Sequence, residues 1–296
     1  MEKEITAFVP AHLCDSLQPG RAGEVLLVTS SGIYLRMEEQ ILLLCDRSWG
    51  ILPIGIGLEN FDDAMSALQP RQGETVRVTE AGLEFPGETV RLNPQNKSVG
   101  ASRKDLPQLP RIRQAAEALV LLKKARGFSM LAQPLVLGQP LAEEPETNPY
   151  RRYAAPYFSQ LADAIVRGDE FAIGDCVKKL LGLGPGLTPS ADDVFLGMLY
   201  VFRALPEKCP EGVSAFRESI ARLCPWRTNQ ISGAYLSAIL VGAPFERMES
   251  VYRGLCGTEP LDIQRLIQIG SSSGSEMLLG MLIALRICGY GLSQEE

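Results

Sequence analysis

The spacing of apolar residues changes near residue 100, and that change limits the fold more than any other feature of the chain. Before it, "EVLLVT", "GIYLRM" and "ILLLCD" are short, rich in branched apolar residues, and joined by Ser-Ser-Gly and Glu-Glu-Gln turns. A second set follows in "ETVRVTEAGLEFPGETVRLN", where Val76 and Val78, then Leu83 and Phe85, alternate. Strands this short, with hairpin-sized turns and no helix between them, predict an antiparallel sandwich or barrel over residues 1–100. "SWGILPIGIGLENF" interrupts the series with Gly and Pro and reads as a long ordered loop.

Beyond residue 101 the period becomes helical. "DLPQLPRIRQAAEALVLLKKARG" spaces Ile112, Ala115, Ala116, Leu119 and Leu122 along one face and stops at Gly127. "GQPLAEEPETNPY" is a polar, Pro-rich connection. "RRYAAPYFSQLADAIVRGD", "EFAIGDCVKKLLGLG", "EGVSAFRESIARLCP", "TNQISGAYLSAILVGAP" and "PLDIQRLIQIG" all carry helical patterns. The expectation is an α+β protein: a β-rich N-terminal sandwich or barrel, then an α-helical domain over 101–296. A length of 296 residues suits two domains of roughly 150 each.

Charge and cysteine usage narrow the function. A net charge of −6 argues against nucleic acid or an anionic membrane as partner, since both call for a basic face. No apolar run reaches the ~18 residues of a membrane span, and "MEKEITAFVP" lacks the pattern of a signal peptide. The seven cysteines are scattered, never spaced C-x-x-C, so neither a disulfide framework nor a zinc site is expected and a cytoplasmic setting fits. His12 is the only histidine and has no motif around it, so it reads as a local hydrogen-bonding residue.

The chemistry concentrates in "LGLGPGLTPSADDVFLGM", residues 181–198. Gly182, Gly184 and Gly186 alternate, but the segment before them is amphipathic helix, not the strand that a dinucleotide site requires. No Lys precedes Thr188 or Ser190, so this is not a Walker A loop either. What remains is a glycine loop opening a helix. Thr188 is placed to cap it, Pro189 to take its first position, and Asp192 and Asp193 to face the positive end of its dipole.

"SADDVFLGML" at 190–199 is echoed by "SGSEMLLGML" at 273–282, which follows a second glycine and hydroxyl loop, "GSSSG". Both helices are apolar all round and so belong at the centre of a bundle. Gly197 and Gly280 each cost about 1 kcal/mol relative to Ala, a cost best explained by two backbones crossing there. With an interaxial distance of ~8 Å and a rise of ~6 Å from acid to glycine, Asp193 and Glu276 should lie within about 15 Å. Each motif alone is ordinary helix capping; two facing loops make a shared anion or metal–anion site. Asp192 and Asp193 are the candidate ligands of Mg²⁺.

A third helix starts at Thr228 in "PWRTNQIS", with Arg227 just ahead of that cap, where its fork suits a carboxylate or phosphate. Arg151 and Arg152 are weaker candidates; for all three arginines the expected role is a surface salt bridge, and Trp226 and Tyr235 are expected to pack.

These segments, "GLGPGLTPSADD", "TNQIS" and "GSSSGSEMLLGM", resemble the three signatures of the domain-of-unknown-function 2877 family. The family usually carries Gly at Ala191, Thr at Asn229 and Asp at Glu276, so the chain departs from it there. One branch of that family is the third subunit of oxamate carbamoyltransferase, which interconverts oxalurate plus phosphate with oxamate plus carbamoyl phosphate. The resemblance therefore implies a subunit of a carbamoyltransferase-like complex acting on a small anionic amide. Gly184, Gly186, Thr188 and Ser190 would cradle phosphate, with Ser272, Ser273 and Ser275 assisting. Asp192, Asp193 and Glu276 would hold a metal or steer protons; Arg227, with Thr228 and Asn229, would bind a substrate carboxylate. The competing expectation is a non-catalytic assembly or regulatory subunit that binds an anionic metabolite.

Overall fold

The computed structural model describes residues 4–95, 105–122, 127–140 and 148–292. The chain divides into two compact units, Met1–Gly100 with Ala243–Arg247, and Ala101–Gly242 with Met248–Glu296.

In the first unit eight strands close into a barrel. They are β1 (Ile5–Pro10), β2 (Ala22–Thr29), β3 (Gly32–Met37), β4 (Gln40–Asp46), β5 (Gly55–Leu58), β6 (Thr75–Thr79), β7 (Gly82–Phe85) and β8 (Glu88–Gln95). Their spatial order is β1-β5-β4-β3-β2-β6-β7-β8. Alternating apolar residues fill the interior: Val25, Ile33, Leu35, Leu44, Val76, Val78, Leu83 and Val90 are buried together. Two hairpins use one local device. Thr29 and Thr79 each donate a hydroxyl to the carbonyl of a following glycine, Gly32 at 3.1 Å and Gly82 at 3.3 Å.

The barrel alternative of the expected fold class is thus the one adopted, with two differences. β1 pairs parallel with β8, and β4 parallel with β5, so the sheet is not purely antiparallel. The supposed loop "SWGILPIGIGLENF" contains β5, and helix α1 (Phe61–Leu68) follows it. Ile56 and Leu58 do alternate, but two glycines and the nearby Pro53 disguise so short a strand. That strand is specified by barrel closure, which leaves a gap between β1 and β4 for it to fill.

The second unit is helical: α2 (Leu109–Leu121), α3 (Pro149–Arg167), α4 (Glu170–Leu180), α5 (Ser190–Ala204), α6 (Gly212–Arg227), α7 (Gln230–Leu240), α8 (Glu246–Cys256, in this unit from Met248), α9 (Gln264–Ile267) and α10 (Ser273–Ile287). The expected end of α2 at 123–126 and the connection at 141–147 lie outside the described residues. "PLDIQRLIQIG" yields only the short α9, and α8 was not anticipated.

α5 and α10 form the centre of this unit. Every residue of α5 from Ser190 to Phe202 is buried, as is every residue of α10 from Gly274 to Leu285. The two helices cross at their glycines. A Cβ added to Gly197 would stand 2.0 Å from the Met277 carbonyl oxygen, and one on Gly280 would stand 1.9 Å from that of Val194. The helical penalty of each glycine is offset by backbone-to-backbone packing that no side chain permits. Phe195 completes an edge-to-face series with Phe158 and Phe216 across α3 and α6.

Candidate functional site

The α5–α10 crossing brings the two glycine and hydroxyl loops together. The Thr188 hydroxyl donates to Asp193 Oδ2 at 3.0 Å and lies 3.0 Å from the Ser273 hydroxyl of the other loop. Ser272 donates to Glu276 Oε2 at 3.1 Å, and the Phe128 N–H donates to Glu276 Oε1 at 3.2 Å. Asp193 and Glu276 are both fully buried beneath these half-buried hydroxyls. Burial, and then the neighbouring charge of Glu276, push the Asp193 carboxyl well above the usual carboxylate range. The echo in the sequence is therefore a spatial pair of acids.

Asp192 has a different part. Its Oδ1 accepts the Gly182 N–H at 2.7 Å, while Oδ2 accepts the hydroxyls of Ser232 at 2.7 Å and of Thr228. Burial raises its pKa, and these three bonds oppose the rise. Asp192 thus binds the glycine loop, the end of α6 and the start of α7 into one piece. Asp193, by contrast, keeps one buried oxygen, Oδ1, with no hydrogen-bond partner.

The glycine loop needs its glycines. Gly182 and Gly184 have φ of 82° and 120°. A Cβ on the first would meet the Arg227 carbonyl oxygen at 2.0 Å, and on the second the Ser190 nitrogen at 2.6 Å. Pro185, Gly186 and Leu187 form an exposed tip. Among the described residues, the amides of Gly184, Gly186, Leu187 and Thr188 make no backbone hydrogen bond, so the loop presents free donors. Asn229 steadies it from the side, its Nδ2 donating to the Leu187 carbonyl at 2.9 Å while its Oδ1 caps α7 at Ile231 and Ser232.

Several expected positions shift. α5 begins at Ser190, with Pro189 as its cap residue and no side-chain cap, because the Thr188 hydroxyl is taken up by Asp193. α7 begins after Asn229, not Thr228. Ser190 is buried against Gly184, and Ser275 turns back to the Ser272 carbonyl at 2.6 Å. Arg227 is exposed and donates to the Lys178 carbonyl at 2.6 Å, which caps the end of α4. Tyr235 packs as expected, but Trp226 does not: it is 84% exposed. Its position at the last turn of α6 points it away from the core. Arg151, expected at the surface, is 6% exposed.

The sequence reading missed Ser232, Phe128 and Gly127. Ser232 sits one turn after Thr228 on α7, so it reaches the same Asp192 oxygen; that spacing was a legible signal. Gly127 gave none. It presses on the second loop, where a Cβ would meet Ser272 Cβ at 3.1 Å and Glu276 Oε1 at 3.2 Å.

Elsewhere, all seven cysteines are free thiols. His12 Nε2 lies 3.0 Å from the Pro53 carbonyl oxygen, and burial lowers its pKa. Among the described residues no helix is long and apolar enough to cross a membrane, and no group of three or more His, Cys, Asp or Glu side chains could hold a metal.

A β-barrel unit and a helical unit built on two paired glycine loops define an α+β protein whose distinctive part is the α5–α10 pair. Residues 180–285, which carry both loops, match the family model described as oxamate carbamoyltransferase subunit AllH. The resemblance read from the three motifs holds over that span. No solved structure matches the chain.

Proposed function

We propose that this chain is a subunit of an oxamate carbamoyltransferase-like enzyme, and that its paired loops bind the phosphate or carboxylate of a small anionic amide. The observation that carries the reading is the match at residues 180–285, which spans both loops joined by the Thr188–Ser273 contact. In the phosphorolytic direction a phosphate oxygen attacks the carbamoyl carbon of oxalurate. The carbon–nitrogen bond then breaks, and the oxamate nitrogen takes a proton. Such transfer needs orientation and donors for developing negative charge, which unpaired loop amides at a helix start supply. Gly184, Gly186 and Thr188 would serve on one side, Ser272 and Ser273 on the other.

If Mg²⁺ takes part, Asp193 is a better ligand for it than Asp192. Both Asp192 oxygens are already engaged by three donors, whereas Asp193 Oδ1 has none. One carboxylate with water and substrate oxygens is a usual Mg²⁺ environment. Glu276 and Asp193 are also the groups suited to steer protons.

A non-catalytic, anion-binding role is the second reading. It is favoured by the network itself, since Thr188, Ser272, Ser273 and Ser275 already bond within it. The exposed Trp226 and Leu187 beside the glycine loop suit a contact with other subunits. The test is to assay carbamoyl phosphate formation from oxalurate and phosphate, using the chain alone and co-purified with the products of neighbouring genes. Activity that requires this chain and falls in Thr188→Val supports the first reading. Full activity of the assembly without this chain overturns it.

A further inference from the structure

We propose that Arg151 is an anion-binding residue, holding a carboxylate or phosphate of a small ligand at the start of α3. The proposal rests on the reading that the protein takes small anions and extends it to a side chain outside both loops.

Arg151 is 6% exposed, yet its Nε has no hydrogen-bond partner and the described residues give its side chain no ion pair. Arg247 shows the ordinary alternative in the same protein. It is 9% exposed, and its guanidinium is spent on the Trp49 carbonyl at 3.0 Å and the Ser48 carbonyl at 3.3 Å. A guanidinium cannot shed its proton to escape burial, so a buried Nε–H with no acceptor is a standing cost. Such a cost is accounted for when a ligand supplies the missing acceptor.

A second buried donor stands close in the chain topology. Ser129 is 0% exposed, and its hydroxyl also lacks a partner. The two flank one tether: Asn148 Nδ2 donates to the Gly127 carbonyl at 3.3 Å, while Asn148 Oδ1 accepts the Arg151 N–H at 3.2 Å. Gly127 in turn abuts Ser272 and Glu276, so the start of α3 is fastened beside the second loop. Helical side chains lean toward the N-terminus, which directs Arg151 to this junction. The 19-residue α3 adds the positive end of its dipole. A forked donor at a helix start calls for a planar carboxylate or a phosphate, bound by two prongs.

The test uses the full chain, with inorganic phosphate and oxamate as separate probes, by calorimetric titration and thermal melting. One of the two should bind the wild type and raise its melting temperature. Arg151→Met should weaken that binding at least about tenfold while melting, without ligand, at or above the wild type, because a buried unpaired charge has been removed. Arg151→Lys keeps the charge but loses the fork and should bind at an intermediate level; it carries the test if the Met variant misfolds. Wild-type affinity in either folded variant overturns the assignment of Arg151 alone. A wild type that binds neither probe overturns the anion reading, and this assignment with it.

Discussion

The two copies of the loop-and-helix motif share a backbone plan but divide its labour. In the first copy, Asp192 reaches outward to Gly182, Thr228 and Ser232, fixing its loop to α7. The corresponding Ser275 of the second copy turns inward to its own helix, at the Ser272 carbonyl. One residue later both copies do the same thing: Asp193 and Glu276 are both fully buried, one turn before the crossing, and the charge of Glu276 helps raise the Asp193 pKa. Ala191 and Gly274 also correspond, yet a Cβ on Gly274 would stand 1.8 Å from the Leu266 carbonyl oxygen. One copy is braced by hydrogen bonds, the other by close packing. Repetition fixed the geometry of the acids, and the surroundings of each copy decided what else its residues do.

The comparison breaks most readily at the crossing. Gly280→Ala and Gly197→Ala should each cost about 3–5 kcal/mol in chemical denaturation, since even a methyl group strikes backbone on the facing helix. A cost below 1 kcal/mol at both would mean that the helices separate freely. Next comes the asymmetry of the bracing residues. Asp192→Ala should cost about 2–4 kcal/mol, because it orphans the Gly182 N–H and two hydroxyls. Ser275→Ala, which loses one local bond, should cost about 1 kcal/mol or less. Equal costs would erase the difference between the copies.

Smaller still is the replacement of Asp193. Asp193→Asn should leave stability unchanged or slightly higher, since it removes one of two neighbouring buried acids. On the proposed reading it should nonetheless diminish carbamoyl phosphate formation from oxalurate and phosphate. A loss of more than about 2 kcal/mol would make this acid a structural brace like Asp192. The finest test is the bond between the loops. A double-mutant cycle on Thr188→Val and Ser273→Ala should give a coupling of about 0.5–1.5 kcal/mol. A coupling near zero would show that the loops are neighbours without being joined.

Much of this was legible in the chain. The switch of apolar period separates strand-rich from helix-rich sequence because strands repeat every two residues and helices every 3.6. A buried glycine flanked by apolar residues in each repeat pointed to the crossing, since only backbone contact uses the space that a missing side chain leaves. The acids followed by counting residues back along each helix.

Other features came only with the tertiary structure. Adjacent carboxylates, Asp192 and Asp193, look alike in sequence, yet successive helical residues point about 100° apart, and their partners come from distant segments. β5 and the parallel pairings depend on closure of the barrel, a property of all eight strands and not of any one. The exposures of Trp226 and Arg151 ran opposite to expectation, because burial is set by which neighbour covers a helix face. Local periodicity is written along the chain. Partnership across 36 or 85 residues, as between Asp192 and Thr228 or Thr188 and Ser273, is decided only when the helices pack.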